Sequence, residues 1–272
     1  MPIITITKAE YSDAPKIAER VAARLNYTCI GRRELFARAA EDFEFPEKQL
    51  VEEIDEPAKI WQQNREKQGA NFNVVRASFL NLCNEHGDLI YHGYSGQVFV
   101  RRVPHALRIL VIADMEYRIQ EAMKLESVDR DKAVELITKH DKKVTKWNQQ
   151  QHALNWQDPS KYDLVLNIGR MDTESAVEGI VQIIKAGGFN TTEASKSAFD
   201  DELLASVVWS KLTNTEQTSS AIVETLAENG RVTISGVARS NEQKTAISTV
   251  AAAIEGVKKV ENEMGIGAIW RM

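Results

Sequence analysis

Residues 3–25 read IITITKAEYSDAPKIAERVAARL. Ile3 to Thr7 are apolar and β-branched, and from Ile17 the apolar positions Ile17, Val21 and Leu25 recur at helical spacing, so the stretch reads strand, turn, helix. Phosphate-binding loops are framed in this way. Their usual filling is glycine, because backbone N–H groups must approach the phosphates closely and some residues need positive φ. Between Lys8 and Lys16 there is no glycine. The helix start at Pro15 still offers free N–H groups and a partial positive charge. Asp13, however, puts a carboxylate where a phosphate would bind. That carboxylate is suited to capping the helix, and at a few ångströms it would repel a phosphate by ~1 kcal/mol in water and by more in a drier pocket.

Working outward, residues 47–86 are helical in character, around Ile54, Ile60, Trp61, Phe79 and Leu82. DLIYHGYSG (88–96) then reads as a buried strand entering a glycine-containing turn, HALRILVIAD (105–114) as another strand and YDLVLNIG (162–169) as a third. Strands alternating with helices imply crossover connections and a mostly parallel sheet, with ligands at the carboxyl ends of the strands. Met115 to Gln151 reads as one long helical segment. Within it Lys139, Lys142, Lys143 and Lys146 fall at i, i+3, i+4 and i+7, which places four ammonium groups on one helix face.

Beyond Ala186, GGFNTTEASKS (187–197) is small and polar and reads as a linker. A helix is expected over Asp200 to Leu212, a turn at Asn229-Gly230, and a strand at RVTISGVA (231–238). A helix capped by Ser240 or Asn241 and stopped at Gly256 follows, then a last strand at KKVENEMGI (258–266). The chain thus divides into a domain over 1–187, a linker over 188–199 and a smaller α/β domain over 200–272.

Bulk properties narrow the function classes. The 272 residues suffice for a substantial core, and 43% hydrophobic with 27% charged residues is ordinary for a soluble globular protein. A net charge of -5 gives no general attraction to nucleic acid or anionic lipid, so any anion site is local. No apolar run approaches the ~18 residues that cross a bilayer, and the start MPIITITKAE lacks the build of a leader peptide; a cytoplasmic location is expected. Cys29 and Cys83 suit neither a disulfide framework nor a metal pair and read as buried thiols. His92 and His105 have no metal-ligand spacing, and no metal site is expected of them. Asp114 reads as a helix cap, with holding a magnesium water as its other use. Trp147 and Trp156 read as packing residues, with stacking on a base as the other use of their rings.

The tail resembles a BON domain over roughly residues 200–266. The resemblance rests on NGRVTISGVA, on SNEQKTAI and on IEGVKKVENEM, which carries the GV-x-x-V-x-N pattern of that family. It implies an α+β binding module without catalytic residues, of a kind discussed in connection with phospholipids and small ligands. The first ~190 residues, a normal domain size, resemble the cytidylate kinase-like branch of the nucleoside monophosphate kinases. The carrying segments are HGYSGQVFVRRVPHALRILVIADMEYRIQEAM, AVELITKHDKK and NWQDPSKYDLVLNIGRM, together with the opening strand and RRELF.

That second resemblance implies a P-loop kinase fold, an α/β architecture with a parallel sheet flanked by helices, and ATP with Mg²⁺ as cofactors. Laid on this chain without gaps, the family's loop SREYGSGGREIA puts its glycines on Tyr11, Asp13 and Ala14 and its second arginine on Pro15, keeping Ser12 within the loop. The family's D-R-E-L segment becomes Arg32-Arg33-Glu34-Leu35, and its G-R-G becomes Gly93-Tyr94-Ser95. Its K-x-D-K is kept as Lys139, Asp141 and Lys142, while the arginine pair expected next becomes Lys143 and Val144. The remaining matches are Pro104, His105, Arg108, Tyr117, Arg118, Trp156, Asp158, Pro159, Tyr162, Asp163 and Asn167, largely structural in kind.

Phosphoryl transfer depends on positioning and charge neutralisation, so the lost glycines and arginines point to a nucleotide-binding or regulatory homologue whose phosphotransferase activity is weak or lost. Ser12, Lys16, Arg33, Lys139 and Lys142 are the candidate contacts for a nucleotide or nucleoside monophosphate; no catalytic residue is assigned. Two alternatives are an active kinase moving a phosphoryl group from ATP to CMP or a related monophosphate, with lysines replacing arginines, and an adaptor that binds protein, lipid or small ligand through the BON domain.

Overall fold

The computed structural model describes residues 2–43, 65–152 and 155–267, which form two compact units. The first comprises Met1–Ala37, Leu82–Arg101 and His105–Thr191, and the second Arg38–Asn81, Arg102–Pro104 and Thr192–Met272.

The first unit is built on strands β1 (Ile3–Lys8), β2 (Thr28–Gly31), β3 (Leu89–Gly93), β4 (Ala106–Ala113) and β5 (Leu164–Ile168), in the order β2-β3-β1-β4-β5. Every pairing is parallel, with Ile4 opposite Ile90 on one side and Leu107 on the other. Because β3 inserts between β1 and β2 before the chain crosses to β4, the order reverses around β1. Ligands of such sheets bind at the carboxyl ends of strands flanking a reversal, and here those ends carry the loops after β1 and β3.

Helix α1 (Ala14–Leu25) follows β1, α2 (Arg32–Asp42) follows β2, and α3 (Arg65–His86) precedes β3. The one-turn helix α4 (Gly96–Phe99) follows β3, then come α5 (Met115–Glu126), α6 (Arg130–His152) and α7 (Thr173–Lys185). The apolar stripe predicted for α1 is its buried face: Ile17, Ala18 and Val21 are fully buried with Ile4 and Ile6 of β1 and with Val177, Ile180 and Val181 of α7. Burying Ile17 or Val21 contributes ~2 kcal/mol each.

In the second unit α8 (Glu193–Asn214) precedes β6 (Ile222–Glu228), β7 (Arg231–Ala238), α9 (Asn241–Ala252), β8 (Lys259–Asn262) and β9 (Gly265–Ile266). β6 and β7 are an antiparallel hairpin, and β8 and β9 both pair with β7 in parallel. Val208 and Leu212 of α8, Val232 and Ile234 of β7 and Ile247 and Ala251 of α9 form its core. Glu202 of α8 is buried and ion-paired with Arg76 of α3 in the same unit.

Several elements differ from the sequence reading. The helix expected over Met115 to Gln151 is two helices, because Ser127 adopts a left-handed conformation (φ 54) at the end of α5 and Asp129 accepts from the Lys132 N–H to start α6. The helix expected from Asp200 begins at Glu193, since Thr192 and Ser195 form a reciprocal capping box that the polar run conceals. β2 was not anticipated, being only TCIG, and neither was β6, whose ETLAE half does not read as a strand. The single strand expected at 258–266 is split where the Asn262 side chain accepts from the Met264 N–H and Met264 turns into the core. Cys83 is buried but Cys29 only half so. Ile54, Ile60 and Trp61 lie outside the described residues, as does the side chain of Trp147. Among the described residues no helix is long and apolar enough to cross a membrane.

Candidate functional site

The loop joining β1 to α1 has no glycine between Lys8 and Lys16, yet it turns through left-handed residues. Tyr11 (φ 61) and Asp13 (φ 59) are both left-handed, and both stand where the family pattern has glycine. For residues bearing a Cβ that conformation costs ~1 kcal/mol or more each, so contacts elsewhere must hold it.

Those contacts are specific. The Asp13 carboxylate does not cap α1, as the sequence suggested it could; with φ positive the side chain turns away from the helix N–H groups. It accepts instead from Lys16 Nζ at 2.6 Å, from the Tyr117 hydroxyl at 2.8 Å and from Thr173 at 3.5 Å. Burial would raise its pKa, but the bonds from Lys16 and Tyr117 and the lysine charge outweigh that and hold it below 3.8. Lys16 lies 3.4 Å from Glu121 as well, and the hydrogen bond to Asp13 leads the causes that raise its pKa. Ser12 is buried, its hydroxyl donating to Ala9 O at 2.6 Å and Val111 O at 3.3 Å. The structure therefore brings Ser12 and Lys16 together at the loop and engages both internally.

The other candidates stand apart from the loop's internal bonding. Arg33 is exposed in the first turn of α2, beyond the carboxyl end of β2. Lys139 and Lys142 are exposed on α6, on either side of His140 and Asp141. None of the three forms a hydrogen bond or ion pair among the described residues.

A cluster that the sequence reading missed occupies the carboxyl edge itself. Glu10 accepts a short hydrogen bond from the Tyr94 hydroxyl, whose oxygen is 2.6 Å from His140 Nε2. Glu10 also pairs with Lys8 at 2.9 Å and lies 3.6 Å from His140. Arg118 donates to the Glu10 carbonyl at 2.8 Å and grips Asp141 with two bonds of 2.8 and 2.7 Å. Arg32 lies 5.9 Å from the centre of the Tyr94 ring. The sequence signal was that Tyr94, Arg118 and Asp141 fall on positions of the family pattern; nothing local brings α6 to Glu10.

Asp114 caps α5, accepting from the Tyr117 N–H at 2.9 Å, and the Ser12 hydroxyl donates to backbone carbonyls. Trp156 is packed against Ala9, Tyr94, Leu110, Val144 and Tyr162 and donates to Thr145, away from any base-stacking use. Several residues kept from the family pattern brace the fold: Arg108 grips Asp163 at 2.7 and 2.9 Å, Asp158 caps a 3₁₀ turn, and Tyr162 donates to Trp156 O.

Residues 3–170 match the sequence profile described as the Cytidylate kinase-like family, and residues 200–268 match that of the BON domain. A protein named cytidylate kinase from Methanothermobacter thermautotrophicus is 26% identical over 174 residues, covering 64% of this chain and 99% of that protein. Among solved structures, an uncharacterised protein from Eubacterium ventriosum superposes with a TM-score of 0.50 at 19% identity, over 68% of this chain and 99% of its own. A shikimate kinase from Bacteroides thetaiotaomicron gives 0.42 at 15% identity, over 68% of this chain and 98% of its own. The profile match over residues 3–170, more than half of the chain, is met by a parallel sheet of the expected kind: this chain belongs to the cytidylate kinase-like family and carries a BON domain over residues 200–268.

Proposed function

We propose that this chain is a regulatory, nucleotide-site homologue of cytidylate kinase that no longer transfers phosphoryl groups. The observation that carries this reading is the Asp13 carboxylate, which stands in the loop after β1 at a glycine position of the family pattern and is paired with Lys16. A phosphate entering the loop must displace that ion pair and face two further carboxylates, Glu10 and Glu121. Transfer also requires positive charge across the migrating group, and here Lys8, Lys16 and Arg118 are each bound to an acidic partner.

Among the described residues Arg33, Lys139 and Lys142 form no such ion pair. They favour weak capture of a nucleoside monophosphate at the rim of the sheet, with lysine lacking the two-pronged donor geometry of arginine. Action from a cytoplasmic location, and transmission of the kinase-like domain (1–187) to a protein or small-ligand partner through the BON domain (200–272), belong to the same proposal.

The test mixes the full chain with ATP, CMP and Mg²⁺ and follows ADP formation alongside thermal stability. The expected outcome is no turnover above the protein-free rate and at most a small rise in melting temperature. Turnover abolished by Lys16→Ala and Lys142→Ala would establish an active kinase instead.

A further inference from the structure

We propose that α8 joins the BON domain to α3 of the kinase-like sequence as one folding unit, with Glu202 as the anchor, so that this domain is not a module on a tether. α8 is buried on two opposite sides. At roughly 100° per residue, Val208, Leu212 and the partly buried Leu204 fall on one side and pack into the core with β7 and α9. On that side too the Ala205 carbonyl accepts from the Thr225 hydroxyl of β6 at 2.8 Å. Phe199, Glu202, Ser206 and Ser210 are buried as well, yet they fall around the opposite side, and Phe199 has no part in that core. A helix with one covered face leaves the other to polar, exposed residues. Here the second face is covered too.

Glu202 identifies what covers it. One carboxylate oxygen pairs with Arg76 of α3, and the other lies 4.0 Å from Arg102. The Glu202 and Arg76 side chains are only 8% and 12% exposed, so each depends on the other to offset the loss of water around its charge. α3 supplies the matching half. From Asn73 to Leu80 every residue except Arg76 is buried, which encloses this helix all round. Arg76 and Arg102 lie among the residues that match the cytidylate kinase-like profile, and Glu202 among those that match the BON profile. All three belong to the second compact unit. That unit therefore crosses from one profile into the other, and both faces of α8 are taken by the chain itself.

The experiment places a protease recognition sequence after Gly188, where an added Cβ would meet nothing within 4 Å, and cleaves the folded full chain there. The two pieces are expected to co-elute in gel filtration at ~1 μM and to part only in denaturant. A piece 189–272 that elutes alone overturns the proposal. In the cleaved protein Glu202→Lys weakens association about a hundredfold, since it leaves Arg76 and Arg102 facing a third cation; unchanged association overturns the proposal, because the pieces would then be held elsewhere. A second measurement needs no substitution and decides should Glu202→Lys fail to fold. In hydrogen exchange of the intact wild type through a urea series, amides of α3 over 73–80 and of β7 lose protection together. Loss at separate urea concentrations overturns the proposal. Neither readout involves a nucleotide, so this proposal and the lost transferase activity stand or fall separately.

Discussion

Two turns in this molecule place consecutive or near-consecutive residues in the left-handed region, and they do so by opposite means. The β6–β7 hairpin uses Asn229 (φ 53) and Gly230 (φ 85), the residue pair that adopts such a turn at little cost. The loop after β1 uses Tyr11, which resists it, and Asp13, which tolerates it better than most residues but less well than glycine. The hairpin is local: its conformation suits its own residues. The loop is imposed from a distance, by Tyr117 of α5, Thr173 of α7 and the network through Arg118 to α6. A loop without glycine is thus held in left-handed conformations by side chains from other helices.

The comparison breaks most severely at Arg118. Its side chain is buried and joins Asp141 to the Glu10 carbonyl, so Arg118→Ala leaves both without their partner and costs about 3 kcal/mol, read as a loss in urea denaturation. At the hairpin, Gly230→Ala forces a Cβ into a left-handed residue and to 2.9 Å from the Gly256 carbonyl oxygen. A cost of about 1–2 kcal/mol is expected there. For the loop, Asp13→Ala removes the bonds to Lys16 and Tyr117 while retaining the unfavourable φ, whereas Asp13→Gly removes both. Asp13→Gly is therefore more stable than Asp13→Ala by about 1 kcal/mol, and equal melting temperatures would show that the loop stores no strain.

The smallest effect is on pH dependence. Asp13 and Glu10 both titrate below their ordinary values of 3.8 and 4.5 in the folded state. Each contributes stability that is complete above those values and lost as pH falls through the folded pKa. Stability should decline below about pH 4.5, and less steeply in Asp13→Ala than in the wild type, as seen in thermal melts across an acid series.

Much of the first unit was legible because its signals are short-range. The IITIT and HALRILVIAD strands, the α1 stripe and Pro15 at the helix start each express a local preference, and the helix boundaries that were missed at Ser127 and Thr192 turn on single side-chain bonds. The candidate site was legible only in part. Ser12 and Lys16 were identified as belonging to the loop, but not that Ser12 would donate to backbone carbonyls or that Lys16 would be claimed by Asp13 and Glu121.

What the residues alone specify is that a strand, a turn and a helix follow one another at 3–25, that no glycine fills the turn, and that two lysines, Lys8 and Lys16, bracket two carboxylates, Glu10 and Asp13. Whether those charges are offered to a ligand or to one another was decided by the fold. The parallel sheet sets the ends of β1, β3 and β4 side by side, and the helices returning over that edge bring Tyr117, Arg118 and His140 to residues more than 100 positions earlier in the chain. Electrostatic pairing depends on distance in space, which spacing along the chain does not encode beyond a turn or two of helix.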